Sequence, residues 1–484
     1  MFTARRRGAA RLAVAMVASG LLAAGSIAVA GSAIADDATP TAPGATAKLD
    51  GLKIFGQAEI HENGKTEKVG AGLFEMSVDG GGTIRTYCID LHNPTQNNAA
   101  YKEVSWDESS LHDNRDAGKI NWILQNSYPQ VNDLAALRKR AALSGPLTDK
   151  LAAAGTQVAI WRFSDKADVT AVDPVAEELA DWLEENALDR KEPAASLVLD
   201  PPAVSGKAGD VLGPIKVHTN ASTVQVSPAP GNPSGVKVTD KNGVVVTSAE
   251  DGDELYFDVA AGTPDGMTSL SAVANTKLPV GRAFTGANST TQVQILAGSS
   301  DSSVSATATA TWAAKGPIPA VSAQVNCAKG GLDVTAANEG DQPFTFELNG
   351  APHTVEAGKS ETVTVPVAED QHYKVTITGP EGFEKTFEGV LDCQTAGNGG
   401  DTPSSSPSPA TAGGSSEGAG DTGSTTGSDA AGSAATGSTT GGDLAETGSS
   451  SATPVIAGIA IALVVIGGGA VFLLRKKKAA PSAE

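Results

Sequence analysis

Three cysteines stand among the 484 residues of this chain, and their placement leaves one of them without a sulfur partner. An odd count in an exported chain points to a reactive thiol or an unusual bond. Cys327 and Cys393 lie in one late β-patterned segment and can pair with each other. Cys88, in Thr86-Tyr87-Cys88-Ile89-Asp90-Leu91, is left over. A thiolate is both a good nucleophile and a good leaving group, with an unperturbed pKa of about 8.5. Cys88 can therefore be an inert thiol buried in a strand, the nucleophile of a cysteine peptidase or transpeptidase with His92 or His112 as base, or the sulfur of an acyl link. Asp90 follows by two, which in a strand puts it on the same face as Cys88, to orient the site or accept a backbone hydrogen bond.

A second segment bears on that choice. Gly155-Thr156-Gln157-Val158-Ala159-Ile160-Trp161 carries a Thr-Gln-x-Ala run, Thr156 to Ala159. Together the two segments resemble the Cys-Gln thioester domains of Gram-positive surface proteins, including the TQXA group. The resemblance implies that the Cys88 sulfur displaces ammonia from the Gln157 side chain to leave an internal thioester, with Tyr87, Asp90, Thr156, Ala159 and Trp161 as supporting motif residues. An amide is normally inert to a thiolate, but near-attack geometry supplies effective molarities of up to about 10⁵–10⁸ M. A partner amine could then attack the stored acyl group, free Cys88 and remain attached through an isopeptide bond. That is acyl transfer run once, so the expected protein is not an enzyme. A Cys-His enzyme would leave Gln157 and its flanks without a covalent role. Trp161 is expected to pack over the site and keep water out.

The two ends predict a location. Residues 1–35 hold Arg5, Arg6, Arg7 and Arg11, an apolar run, and Ala33-Ile34-Ala35 before Asp36, the pattern of a cleaved secretory signal. Adjacent arginines keep a twin-arginine route open. Near the other end, residues 454–474 are uncharged and are followed by Arg475-Lys476-Lys477-Lys478. At about 1.5 Å per residue that run spans roughly 30 Å, the thickness of a hydrocarbon core, with the basic tail inside. Just upstream stands Leu444-Ala445-Glu446-Thr447-Gly448. Pentapeptide, apolar run and basic tail, together residues 444–484, resemble a sortase sorting signal cut between Thr447 and Gly448. Alanine at the second position resembles the LAXTG variant used by class E sortases of actinobacteria. The resemblance implies a sortase and peptidoglycan as partners, and a cell-wall-anchored surface protein. A permanently membrane-held single-pass protein is the competing reading.

Charge narrows the partners. The chain has 35 basic and 55 acidic residues, a net of −20, and removing both ends deepens this to about −27. Such acidity argues against nucleic acid and anionic lipid, and fits a solvated, self-repelling surface. Residues 396–443 contain Gly, Ser, Thr, Ala and Asp without a large apolar side chain. A tract of this kind cannot bury enough surface to offset its ordering entropy, so a disordered stalk is expected there.

The rest is predicted to be mainly β, with a helical portion in the first of three domains. The first, residues 48–188, begins with short strands, turns at Gly80-Gly81-Gly82 before the Cys88 strand, and becomes helical from residue 113. Ile120, Ile123 and Leu124 mark one apolar helix face, and Leu134, Leu137 and Ala141 another. Residues 147–161 read as a third helix broken near Gly155, with Gln157 at its restart, and residues 174–186 as a polar closing helix. A β core with a helical portion also matches the fold that the thioester-domain resemblance implies. Residues 193–314 read as an immunoglobulin-like β-sandwich, with a hairpin over 236–247 and a strand at Gln292 to Leu296. Residues 318–393 repeat the style, with a Cys327–Cys393 disulfide tying first strand to last. The six histidines show no metal-ligand spacing, and no cofactor is expected. Lys216 and Asn288 are conceivable partners for an isopeptide cross-link, but nothing in the sequence fixes them.

Overall fold

The computed structural model describes residues 43–395. The signal segment, the stalk, the sorting pentapeptide and the apolar run at 454–474 lie outside the described residues. Among those described, no helix is long and apolar enough to cross a membrane.

The first domain starts with two long strands, β1 (Thr46–Glu62) and β2 (Lys65–Val78), joined by a tight turn at Asn63 and Gly64, both at positive φ. β1 is bulged near Leu49/Gly51 and Leu52/Ile54. Next to the second bulge Gly72, paired with Phe55, has φ +158°, and a Cβ there would come within 2.2 Å of the Ile54 carbonyl oxygen. β3 (Thr83–Cys88), β4 (Ala100–Val104) and the short β5 (Val169–Ala171) follow. Between β4 and β5 the chain forms α1 (Ala117–Asn126), α2 (Leu134–Arg140) and α3 (Asp149–Ser164), and α4 (Pro174–Asn186) comes after β5.

The sandwich that follows contains β6 (Leu197–Asp200), β7 (Ala203–Lys207), β8 (Val211–Thr219), β9 (Val224–Pro228), β10 (Val236–Thr239), β11 (Ser248–Ala249), β12 (Glu254–Val259) and β13 (Gly266–Lys277). The chain then leaves it. β14 (Ala283–Gly286) and β15 (Gln294–Ser299) belong to the first domain's sheet, and only β16 (Asp301–Ala313) returns to the sandwich. The first sheet runs β2-β3-β15-β14-β4-β1-β5, and because β1 also pairs with β2 it closes on itself as a ring. The sandwich sheets are β10-β12-β8-β6 and β11-β9-β13-β16-β7, with β7 parallel to β16. One continuous apolar core runs from Ala45 to Trp312 across both domains.

Three sequence expectations change here, and one pairing left open is located. Gln292 to Leu296 is not a sandwich strand but largely β15, hydrogen-bonded to the strand that carries Cys88. The 236–247 hairpin keeps its turn, but its second arm is reduced to one bridge, Thr239 to Val245, and the ladder of β10 is made with β12. Lys216 lies on β8 opposite Glu254, whereas Asn288 follows β14 in the other sheet system. Finally, α3 is unbroken through Gly155. The glycine serves a close helix crossing: a Cβ there would fall 2.4 Å from the Ala176 carbonyl oxygen of α4.

The joint between the domains is a buried ion pair. Glu103 on β4 accepts from Arg282 Nε (3.0 Å), Ser196 N (3.0 Å) and Ala45 N (3.1 Å), and Arg282 also pairs with Glu192 of the connecting segment. The last module has its own core, built on three-stranded and four-stranded sheets between Pro319–Asn326 and Glu384–Val390. Cys327 and Cys393, just beyond those two strands, are disulfide-bonded.

Candidate functional site

Cys88 ends β3 and Gln157 lies in the middle of α3, the helix packed against β1, β2 and β3. Thr148 caps that helix by accepting from Leu151 N, and Asp149 in the first turn suits the helix dipole. Its small residues Ala152, Ala153, Ala154, Gly155 and Ala159 are buried and let the sheet and α4 approach closely. Cys88 and Gln157 are both fully buried, at 0% exposure.

The two residues hold each other. The Gln157 carboxamide accepts from the Cys88 backbone N–H at 3.0 Å through Oε1 and donates to the Cys88 carbonyl at 2.8 Å through Nε2. This reciprocal pair fixes the plane of the amide beside the thiol. It also places a backbone N–H on the oxygen that becomes negative when the carbon is attacked, as an oxyanion donor does. The amide nitrogen, the group that would leave as ammonia, is held on the Cys88 carbonyl.

The thiol is held as tightly. Cys88 Sγ lies 3.2 Å from the Asp90 carbonyl oxygen, to which it donates, and accepts from Asp90 N at 3.3 Å. Burial pushes the thiol well above its usual range, and the charge of Asp165, then that of Asp90, adds to the rise. The indole N–H of Trp161 has no well-formed hydrogen bond of its own, yet it acts on the sulfur and partly opposes the shift. A protonated, water-excluded sulfur carries the proton that the departing ammonia needs.

Asp90 differs from its expected role. β3 stops at Cys88, so Asp90 is not on a strand face; its backbone serves the sulfur, while its carboxylate accepts from Asn93. Tyr87 is fully buried and donates to the Tyr128 carbonyl at 2.8 Å, linking β3 to the end of α1. Thr156 donates to the Ala152 carbonyl at 2.7 Å, within α3, and Ala159 and Trp161 are buried on the same helix.

Sequence reasoning missed the polar floor of the site. Gln292 Nε2 donates to the Asp90 carbonyl at 2.8 Å, and Gln294 accepts from Thr86 at 2.9 Å. Tyr101 donates to the Gln292 carbonyl at 2.8 Å. The available signal was two glutamines at a period of two in an otherwise apolar run. Asp165 was also missed. It accepts from Leu91 N at 3.0 Å, and enclosure of its carboxyl pushes its pKa up to about 6. His92 pairs with Glu62 and His112 with the Ser109 carbonyl; among the described residues, no histidine is hydrogen-bonded to Cys88.

Residues 85–189, which include both Cys88 and Gln157, match the thioester-domain family. The fold around Cys88 is a thioester-domain fold. Residues 319–390 match a second family, the C-terminal domain of bacterial phospholipase C. No curated protein matches the chain. Among solved structures, the Bacillus anthracis TIE protein is 13% identical, with 73% of this chain and 81% of that one covered and a TM-score of 0.26. The thioester domain of the Enterococcus faecium TIE86 protein is 15% identical, with 57% and 98% covered and the same TM-score of 0.26. Likenesses this distant carry no weight beyond the similarity itself.

Proposed function

We propose that the chain forms a Cys88–Gln157 thioester and uses it as a single-use covalent hook for an amine on a partner surface. The observation that supports this reading best is the reciprocal pair of hydrogen bonds between the Gln157 carboxamide and the Cys88 backbone. In the first step the Cys88 S–H and the Gln157 carboxamide become a thioester and ammonia: the S–C bond forms, the C–N bond breaks, and the thiol proton leaves with the nitrogen. In the second, a primary amine attacks the same carbon, the C–S bond breaks, and the proton returns to sulfur. The resulting amide is stable, so one chain captures one partner and does not turn over.

The sorting pentapeptide Leu444 to Gly448, the apolar run and the basic tail support cell-wall anchoring by a class E-type sortase, in an actinobacterial setting. The full burial of Cys88 and Gln157 favours a second reading, in which the thioester is an internal cross-link that no partner reaches. A cysteine peptidase or transpeptidase is the third, and it lacks a histidine bonded to the thiol.

Intact mass of the purified full chain tests the first step. It should be lighter than its processed sequence by one ammonia, with no titratable thiol, and Cys88→Ala or Gln157→Ala should each restore the full mass. Incubation with excess methylamine tests the second. One stable addition at Gln157 with Cys88 freed supports the hook; an intact thioester that no amine opens supports the internal cross-link; repeated turnover of an amide or ester makes the protein an enzyme.

A further inference from the structure

The last module carries a group that its surroundings leave uncompensated. Asp392 is 2% exposed, and among the described residues neither of its carboxylate oxygens has a hydrogen-bond partner. Asp370 Oδ1 is likewise buried without a partner. The two segments that carry these residues run side by side, with Asp370 N donating to the Leu391 carbonyl at 3.0 Å and Leu391 N to the Gln371 carbonyl at 3.1 Å. Glu369 joins them: one oxygen from each of Glu369, Asp370 and Asp392 lies within 4.8 Å of the others. Among the described residues, no Lys, Arg or His forms an ion pair with any of the three; the charge of Asp90 also acts on Asp392, and that of His112 on Glu369. Glu369 Oε1 is anchored by Cys393 N (2.6 Å) and Gln394 N (2.8 Å).

An ionised carboxylate taken out of water without donors is strongly unfavourable, and two more carboxylates beside it make it worse. One shared proton, with an Asp392 O–H donating to a neighbouring carboxylate, removes one charge but does not neutralise the remaining two carboxylates. A cation does. Oxygens within 4.8 Å of one another fit a single ion with ligand distances of about 2.3–2.6 Å, the range for Ca²⁺. The donor set is all hard oxygen. It contains no imidazole, and the adjacent Cys393 sulfur is committed to the disulfide, which disfavours zinc.

We propose that Glu369, Asp370 and Asp392 form a Ca²⁺ site at the C-terminal edge of the last module, with backbone carbonyls or water completing the shell. The ion neutralises the buried Asp392 and pins the 369–371 segment to the end of the last module beside the disulfide. Sites of this kind in extracellular modules bind with dissociation constants of about 10⁻⁴–10⁻³ M. At 100 times that constant the ion favours the folded state by about 100-fold.

The test is equilibrium Ca²⁺ uptake and thermal melting of the full chain, in CaCl₂ and in EDTA, for the wild type and Asp392→Asn. The wild type should take up one more Ca²⁺ than the variant and melt higher in CaCl₂ than in EDTA. Asp392→Asn should melt at or above the wild type in EDTA, since it sheds the uncompensated charge, and gain nothing from CaCl₂. Equal uptake by the two chains, or a variant less stable than the wild type in EDTA, overturns the site. So does a wild type whose melting is the same in both media, whatever the variant does.

Discussion

Gln294 stands directly across from Cys88 in the sheet, although all but the last strand of a β-sandwich separates the two in the chain. The strand that carries the thiol is therefore an inner strand, flanked by β2 and β15, only when the chain beyond the sandwich has come back. A chain truncated at residue 188 lacks β14 and β15 and with them Gln292 and Gln294, and leaves β3 an open edge. It should fail to form the thioester and should melt without cooperativity. The full chain should show the loss of one ammonia. Mass spectrometry and circular dichroism of the two chains decide it; a truncated chain with the full mass deficit would mean that the returning strands are dispensable.

Gly155 gives a sharper test of how the helix positions Gln157. Its Cβ-free face lies against the Ala176 carbonyl of α4, so Gly155→Ala must push the two helices apart. Overpacking of this kind costs about 1–3 kcal/mol. The variant should unfold earlier in urea by that amount and form the thioester more slowly, since Gln157 is two residues away on the same helix. Unchanged stability would show that α4 yields freely.

Asp165 makes a pH prediction. Its folded pKa of about 6 lies above the ordinary value of 3.8, so between these the folded state binds more protons than the unfolded one. Its contribution therefore favours folding below pH 4 and is lost as pH rises towards 6. The residue as a whole keeps partial exposure although its carboxyl is enclosed, so the effect is discounted to about 1 kcal/mol. Asp165→Asn should remove that slope from the stability profile and be neutral or slightly stabilising at pH 7. A steeper slope in the variant would contradict the assignment.

Trp161→Phe separates packing from chemistry. The ring volume is largely kept, while the N–H that acts on the Cys88 sulfur is lost. One weak hydrogen bond of about 1 kcal/mol corresponds to a several-fold change in rate. The variant should fold and form the thioester, but methylamine should open it several-fold more slowly, because the departing thiolate is less stabilised. An unchanged rate would confine Trp161 to packing and the exclusion of water.

What the sequence disclosed, and what it hid, follows from the range over which each signal acts. Cys88 and Gln157 were legible as residue types set in short motifs, and α4 was legible as a polar helix over residues 174–186. The unbroken course of α3 was not, because Gly155 reads locally as a helix breaker while its purpose lies on another helix. The return of β14 and β15 was hidden for a related reason: alternating apolar residues declare a strand but not its neighbour. Asp90 was misplaced by two residues' worth of assumed strand. The carboxylates of residues 369, 370 and 392 gave no spacing signal, since backbone pairing between two segments is what brings them together.

The passage of the chain from β15 straight into β16 has a mechanical meaning. A pull applied from the C-terminal side crosses the last module, whose two ends the Cys327–Cys393 disulfide ties together, and then reaches β16, which is locked along twelve residue pairs to β13. Only after that does the load pass, through one residue, into β15 and so sideways into the strand that ends at Cys88. The connecting segment that carries Glu192, which would be the weak joint of beads on a string, lies off this line. Under the proposed function, tension between an anchored end and a captured partner would thus be borne by the longest ladder in the sandwich before it reached the acyl bond.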